Sequence, residues 1–297
     1  MKYNASCKQN GTKPETKKEI KIMKKFLAIA LALIFVLSCF AGCGAKIEEQ
    51  IEGKIEEKTE GKKTISVGYT LYAPMNYMEG ETLVGFDTDL AKAVFEGLGY
   101  EVTFVEIDWD AKYTDLESGA IDCIWNGFTA NSADPDGIQR AEKVDFSYNY
   151  MENRQVIVAK TDSGITSAAD LSGKAGSVES GSAGESYAAG FEGATVKGAS
   201  KQTDCLMEVM SGAADFAVLD AQLAKSYVGK GDYTDLMIIE ELSSDVEFYA
   251  IGFEKGSELT AQVNEQLEKL AADGTIAKIA EKYGVTNTTI TDFSDQK

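Results

Sequence analysis

Histidine is absent from all 297 residues. That excludes a catalytic imidazole, a His-containing triad and the usual zinc sites. Cysteine is sparse, at five residues, and no Cys-x-x-Cys occurs. Of the five, Cys7 and Cys39 lie before Cys43, while Cys123 and Cys205 sit in apolar or helical contexts in different halves of the chain. Buried free thiols are expected there, in preference to a bridge. The Gly-Lys-Ser/Thr ending of a phosphate loop is missing as well. Basic charge is scarce: 29 Lys and Arg stand against 48 Asp and Glu, a formal charge of −19. Such an excess argues against a nucleic-acid partner and against adhesion to anionic lipid. No cofactor is implied.

Long apolar runs are limited to one. Met23-Lys-Lys-Phe-Leu-Ala-Ile-Ala-Leu-Ala-Leu-Ile-Phe-Val-Leu-Ser38 has the basic start and apolar stretch of a secretory signal. It falls short of the roughly 20 residues of a spanning helix. The run ends in Phe40-Ala-Gly-Cys43, which resembles a bacterial lipobox and implies cleavage before Cys43 with lipid on its thiol. An uncleaved anchor helix is the alternative. Residues 1–42 are therefore read as leader and signal, with Met23 the better start. Removing them takes away eight basic and two acidic residues, so the remainder carries −25. Residues 43–62, charged and nearly repetitive, read as a flexible tether off the membrane.

The folded part is organised around Asp115-Leu-Glu-Ser-Gly-Ala-Ile-Asp-Cys-Ile-Trp-Asn-Gly-Phe-Thr129. A helix ends near Gly119, and Ile121 to Trp125 form a strand apolar enough for a sheet covered on both faces. It closes on Asn126, Gly127 and Thr129, where an open α/β sheet presents a ligand crevice. Met210-Ser-Gly-Ala-Ala-Asp-Phe-Ala-Val-Leu-Asp220 repeats the pattern and sets Asp220 opposite Gly127. Two α/β units facing one cleft follow. Around them, Thr64 to Thr70 and Glu101 to Glu106 alternate as strands. Gly85 to Gly99 reads as a helix capped by Asp87 or Thr88. Glu258 to Leu270 and Thr275 to Tyr283 are amphipathic helices expected to pack on the first unit.

Several motifs in order carry a family resemblance. Val84-Gly-Phe-Asp-Thr-Asp-Leu-Ala-Lys-Ala93, Asp108-Trp-Asp110, Ser118-Gly-Ala-Ile-Asp122 and Val144-Asp-Phe-Ser147 are similar to the extracellular solute-binding proteins of amino-acid ABC importers. So are Asp162 to Gly173 and Ser182-Ala-Gly-Glu185. The resemblance covers roughly residues 63 to 285. It implies a periplasmic-binding-protein-like type II fold: two α/β lobes joined by a two-strand hinge around a cleft. Lobe 1 is assigned residues 63–155 plus 250–297, and lobe 2 residues 156–249. Arg154 to Lys160 resembles the first crossing, and Phe248 to Phe253 the return. The implied function is hinge-closing capture of an L-amino acid, a polar one, and its delivery to ABC permease subunits. A monomer on the outer face of the cell membrane, held by lipid on Cys43, is expected.

An α-amino acid is a zwitterion, and each of its charges needs a partner before it leaves water. The resemblance assigns the carboxylate to Arg140, with the N–H groups near Ser182 and Ala183 at a glycine turn beside a helix start. It assigns the ammonium to Asp220, the Gly127 carbonyl and the Thr129 hydroxyl. Tyr72 and Trp109 align with aromatic positions that sandwich the side chain, and Asn126 with the strand end. Tyr69 stands where several relatives have Asp, and Glu179 where many have Gln, which points to altered specificity. Structural alternatives remain at each position. Tyr72 and Trp109 suit an ordinary core, Asp220 and the glycine turn suit helix caps, and Arg140 suits a surface pair with Glu142 or Asp145. Thr129 and Arg140 stand eleven apart, six more than in the family pattern, and this is the chain's main departure.

Two enzyme classes use the same fold. A lytic transglycosylase needs an appended lysozyme-like domain, for which these residues leave no room. A dehydratase of the arogenate type needs an acid/base pair; Glu179 could serve, but no partner is apparent. A sensory subunit is the third alternative, and gene neighbourhood would decide it.

Overall fold

A computed structural model describes residues 63–296. The signal, the tether and Cys43 lie outside the described residues. Two five-stranded sheets dominate. The first has the order β4-β1-β5-β14-β6. Its strands are β1 (Lys63–Tyr69), β4 (Tyr100–Glu106), β5 (Cys123–Ile124), β6 (Asp145–Phe146) and β14 (Gly252–Phe253). β4 and β5 run parallel to β1, while β14 is antiparallel to β5 and β6. A small hairpin, β2 (Tyr77–Glu79) with β3 (Thr82–Val84), precedes α1 (Phe86–Gly97). Leu90, Ala91, Val94 and Phe95 form the buried stripe of α1 at helical spacing. The short α2 (Lys112–Glu117) then leads into β5, and Gly119 turns with φ 72°. Trp125, fully buried, meets Phe95 edge-on at 5.8 Å and anchors this lobe's core. Truncating such an aromatic typically costs about 3–5 kcal/mol.

The chain continues through α3 (Arg140–Lys143) to β7 (Met151–Asn153) and β8 (Gln155–Lys160). The second sheet has the order β10-β9-β11-β8-β12, from β9 (Ala175–Glu179), β10 (Thr195–Ala199), β11 (Phe216–Asp220) and β12 (Leu236–Ile239) with β8. The helices α4 (Ala183–Ala188), α5 (Gln202–Ser211) and α6 (Ala221–Tyr227) accompany it. β8 and β11 are buried almost throughout, as near-continuous apolar strands in the sheet interior should be. Their antiparallel register sets Asp220 opposite Gln155. β13 (Glu247–Tyr249) pairs with β7 and returns the chain to β14. The expected amphipathic segments form α7 (Leu259–Ala272) and α8 (Thr275–Tyr283), helices that pack on α1.

The first crossing lies earlier in the chain than expected, while the return overlaps the expected segment. Gln155–Lys160 is a strand inside the second sheet, between β11 and β12, and its apolar side chains are buried on the sheet's faces. The two strands that run between the sheets are β7 and β13, with Asn153 opposite Glu247. β5 is also shorter than the apolar run around it, since hydrogen bonding covers two residues. Cys123 and Cys205 are free and buried.

Candidate functional site

Where β5 ends, the backbone turns at Gly127 with φ 55°. A Cβ there would fall 1.8 Å from Tyr72 Oη, so glycine alone fits. Asp87 pins the turn from beneath. Its Oδ2 accepts hydrogen bonds from Gly127 N at 2.8 Å and Tyr150 Oη at 3.0 Å. The helix-cap expectation for Asp87 and Thr88 is thereby corrected: both are buried in the first turn of α1, and neither caps it. Burial raises the Asp87 carboxyl to about 7, against its hydrogen bonds from Gly127 and Tyr150.

Arg140 opens α3 and is 1% exposed. Its Nε donates to Asp134 Oδ1 at 2.8 Å, Nη1 to the Thr129 carbonyl at 3.1 Å and Nη2 to the Gly181 carbonyl at 3.2 Å. Its guanidinium also lies over the Phe128 ring at 5.2 Å. The surface pair with Glu142 or Asp145 does not form; the partner is Asp134, from the loop that lengthens the Thr129–Arg140 span. Burial alone would raise the Asp134 carboxyl, but Arg140, Tyr113, Lys143 and Lys112 together hold it below its usual range.

Asp220, 7% exposed, faces Arg140's cavity from the other sheet. It stands at the cap position of α6 yet makes no side-chain cap bond. Three amides serve its carboxylate instead: Asn153 Nδ2 at 2.6 Å and Gln155 Nε2 at 2.8 Å on Oδ1, and Gln202 Nε2 on Oδ2. Gln202 Oε1 accepts from Asp220 N at 3.0 Å. Glu247 Oε2 shares the same amides, at 2.9 Å from Gln155 and 3.3 Å from Asn153, and accepts from Thr129 Oγ1 at 3.3 Å. Burial and then Asp220 raise Glu247 to about 7. The Asp220 carboxyl is raised too, by burial, against its amide donors.

Glu179 ends β9 and is 3% exposed. Its Oε1 is buried without a hydrogen-bond partner. Burial, then the Asp220 charge, pushes its carboxyl up to about 8, with Gln202 and Lys112 opposing.

One cavity gathers Trp109, Asn126, Gly127, Thr129, Arg140, Glu179, Ser182, Ala183, Gln202 and Asp220. Its volume, about 10 Å³, is roughly that of one water. The lobes meet over it. Lys112 Nζ donates to the Gly181 carbonyl at 3.0 Å, Lys201 Nζ to Glu106 Oε1 at 2.6 Å, and Ser186 Oγ to the Ala133 carbonyl at 3.0 Å. A much larger chamber of about 850 Å³ opens beside it and shares Trp109; Asp108, Asp110, Asp204 and Glu208 give its walls a negative charge. Size does not decide between them. The small cavity is where buried charges of both signs converge, and that is the chemistry a polar solute needs.

Nine of the eleven expected ligand residues thus line one cavity, and two do not. Tyr69 pairs with Glu106 across β1 and β4 and lies edge-on to Phe104 at 6.1 Å, on that strand pair's own face. Tyr72 is buried behind Gly127, where its ring fills the core. The Asn126 amide is also committed elsewhere: Nδ2 donates to the Thr70 carbonyl and Asn76 Oδ1, and Oδ1 accepts from Thr70 Oγ1. Ser182 caps α4, its Oγ accepting from Glu185 N at 3.1 Å. Residues missed by sequence reasoning are Gln202, Gln155, Asn153, Glu247, Lys112 and Asp134. Glu247 carried a faint signal, as a charge at the head of the apolar segment Phe248 to Phe253. Among the described residues there is no cluster suited to a metal ion, and no helix long and apolar enough to cross a membrane.

The family model of the bacterial extracellular solute-binding proteins, family 3, matches residues 65–286. The arginine-binding extracellular protein ArtP of Bacillus subtilis (strain 168) is 32% identical over 227 residues, 75% of this chain and 87% of that protein. An ancestral arginine-binding protein bound to arginine superposes with a TM-score of 0.68 at 35% identity, covering 75% of this chain and 98% of that one. An ancestral amino acid-binding protein, a precursor of cyclohexadienyl dehydratase, gives 0.66 at 31% identity, over 74% of this chain and 95% of its own. These relatives are named as binding proteins rather than enzymes. With a two-lobed α/β fold and a charged cavity between its sheets, the chain belongs to the bacterial extracellular solute-binding proteins of family 3.

Proposed function

We propose that the cavity binds an L-amino acid with a cationic side chain outside the cell, and that the protein hands it to an ABC permease. Arg140, with Ser182 and Ala183, takes the carboxylate. Asp220 takes the ammonium, joined by the Gly127 carbonyl and Thr129. Glu179 receives the side-chain cation, with Trp109 as its apolar wall.

One observation carries this reading. Asp220 and Glu179 line a cavity, and Glu247 shares Asp220's amides, while the nearest cations, Arg140 and Lys112, already face acceptors of their own. The buried balance is therefore acidic, and a third positive group on the ligand relieves it where a neutral side chain does not. The arginine named for the relatives above fits that chemistry. A cavity of one water's volume admits such a ligand only when the lobes part about β7 and β13. Closure then excludes water and strengthens each pair.

Cleavage before Cys43, lipid on its thiol and a monomeric state complete the proposal. Lipid supplies the membrane attachment that a strongly acidic chain does not make by charge. Native mass spectrometry of freshly purified protein tests the ligand class. A retained mass of arginine, lysine or ornithine is expected; retained glutamate or aspartate contradicts the assignment.

A further inference from the structure

The loop between Thr129 and Arg140 joins two residues of the proposed ligand cavity and lines none of it itself. We infer that it serves the site indirectly: Asp134 is a positioning residue that aims the Arg140 guanidinium at the ligand carboxylate and keeps it off the carboxylates across the cavity. This rests on the amino-acid reading of that cavity.

A guanidinium has five N–H donors. Asp134 and the carbonyls of Thr129 and Gly181 take one each, on Nε, Nη1 and Nη2. One N–H remains on each terminal nitrogen, a fork of the kind a carboxylate accepts at both oxygens. Which edge of the group stays free is decided by the Nε partner, and Asp134 is that partner. Asp134 lines a different cavity from the ligand's, so it does not compete for the fork.

Charge makes the same demand. Arg140 is buried and always ionised, so it needs a counter-charge whether or not a ligand is present. Without Asp134 the remaining carboxylates that face it are Asp220, Glu179 and Glu247, and pairing with any of them would cancel the two ends of the site against each other. Lys112, Lys143, Asp110, Asp136 and Glu185 are the other charged groups lining the cavity on Asp134's side.

Asp134 is itself held firmly. It is 5% exposed, and its Oδ2 accepts from Tyr113 Oη at 2.6 Å and Lys143 Nζ at 2.9 Å. The loop is tied down at both ends. Asn131 bonds to Phe248 N and the Val246 carbonyl beside β13, and Arg140 N donates to the Ser132 carbonyl at 3.1 Å. A chance surface pair would have neither this burial nor these anchors.

The test uses calorimetric titration of wild type and Asp134→Asn with the twenty L-amino acids, and with the carboxamide of whichever binds tightest. Asp134→Asn is expected to weaken the amino acid about ten- to a hundredfold and its carboxamide less than threefold. Equal loss for both, or no loss, overturns the inference. A wild type that binds none of the twenty overturns the reading of the cavity and this inference with it. Arg140 and Arg154 are the chain's two arginines, so their Nε–H resonances are separable by NMR. In the ligand-free wild type the Arg140 signal should exchange slowly, and in Asp134→Asn it should not; unchanged protection contradicts the role. Should Asp134→Asn fail to fold, Tyr113→Phe removes one anchor of Asp134 and is expected to shift the acid-to-carboxamide preference several-fold the same way. An unshifted preference overturns the inference.

Discussion

Arg140 and Asp220 face one cavity from opposite lobes, and each is held by its own partners instead of by the other. Asp134 answers the guanidinium, while Asn153, Gln155 and Gln202 cradle the carboxylate. Two opposed charges kept apart about so small a cavity suit the proposed amino-acid ligand, which carries both. The cradle also reaches the crossing strands, because Asn153 of β7 and Glu247 of β13 stand opposite each other and share its bonds. A charge arriving at Asp220 is therefore felt by the elements about which the lobes part.

Stability of the ligand-free protein should fall as pH rises from about 4.5 to 8. Burial raises Glu179 to about 8, and Glu247 and Asp87 to about 7, from ordinary values of 4.5 and 3.8. The folded chain thus holds more protons than the unfolded chain across that window, and unfolding releases them. Their contribution is complete below the unfolded values and lost above the folded ones. Thermal denaturation at constant ionic strength should give a higher midpoint at pH 5 than at pH 8.5. A rise across this interval contradicts the burial of these acids in that state.

Binding of L-arginine near pH 7 should release protons. Glu179 is protonated there in the free protein, and a neighbouring cation favours its ionised form. Calorimetry in buffers of different ionisation enthalpy reads the number directly. A release of up to about one proton is expected in the wild type and much less in Glu179→Gln; the same release in both rules Glu179 out as the cation's partner.

Gly127→Ala should damage both fold and binding. The left-handed backbone alone disfavours alanine by roughly 1–2 kcal/mol. The added methyl also meets Tyr72 Oη and Tyr249. A melting midpoint lowered by several degrees, with binding weakened beyond detection, is the expected pair of results. An unchanged midpoint would place the Gly127 turn elsewhere.

Trp109 should report closure optically. It lines both the small cavity and the open chamber, whereas Trp125 is packed inside the first lobe's core. Ligand-induced change in tryptophan emission should therefore survive Trp125→Phe and vanish in Trp109→Phe. The reverse pattern contradicts the assignment of Trp109 to the cleft.

Much of the site was legible in the chain because it lies at strand ends marked by local pattern. The repeated Ser-Gly-Ala-x-Asp element locates both Gly127 and Asp220, since each follows a short apolar strand. What escaped is non-local. Gln155 meets Asp220, and Asn153 meets Glu247, through antiparallel registers that exist only once distant strands pair. Asp134 escaped because its loop has no periodicity, and its value depends on the direction in which Arg140 points. Where the rings of Tyr69 and Tyr72 lie escaped for a related reason: sheet face and core packing direct an aromatic ring, and a resemblance in sequence does not show either.

Titration of wild type, Arg140→Ala and Asp220→Ala with L-arginine and with agmatine, its decarboxylated form, tests the central claim most directly. L-Arginine should lose at least about a hundredfold in affinity with either variant, as expected when one partner of a buried pair is removed. Agmatine has no carboxylate, so Arg140→Ala should change its affinity little. Near-native binding of L-arginine by both variants, or an equal loss of agmatine and L-arginine on Arg140→Ala, would contradict the account.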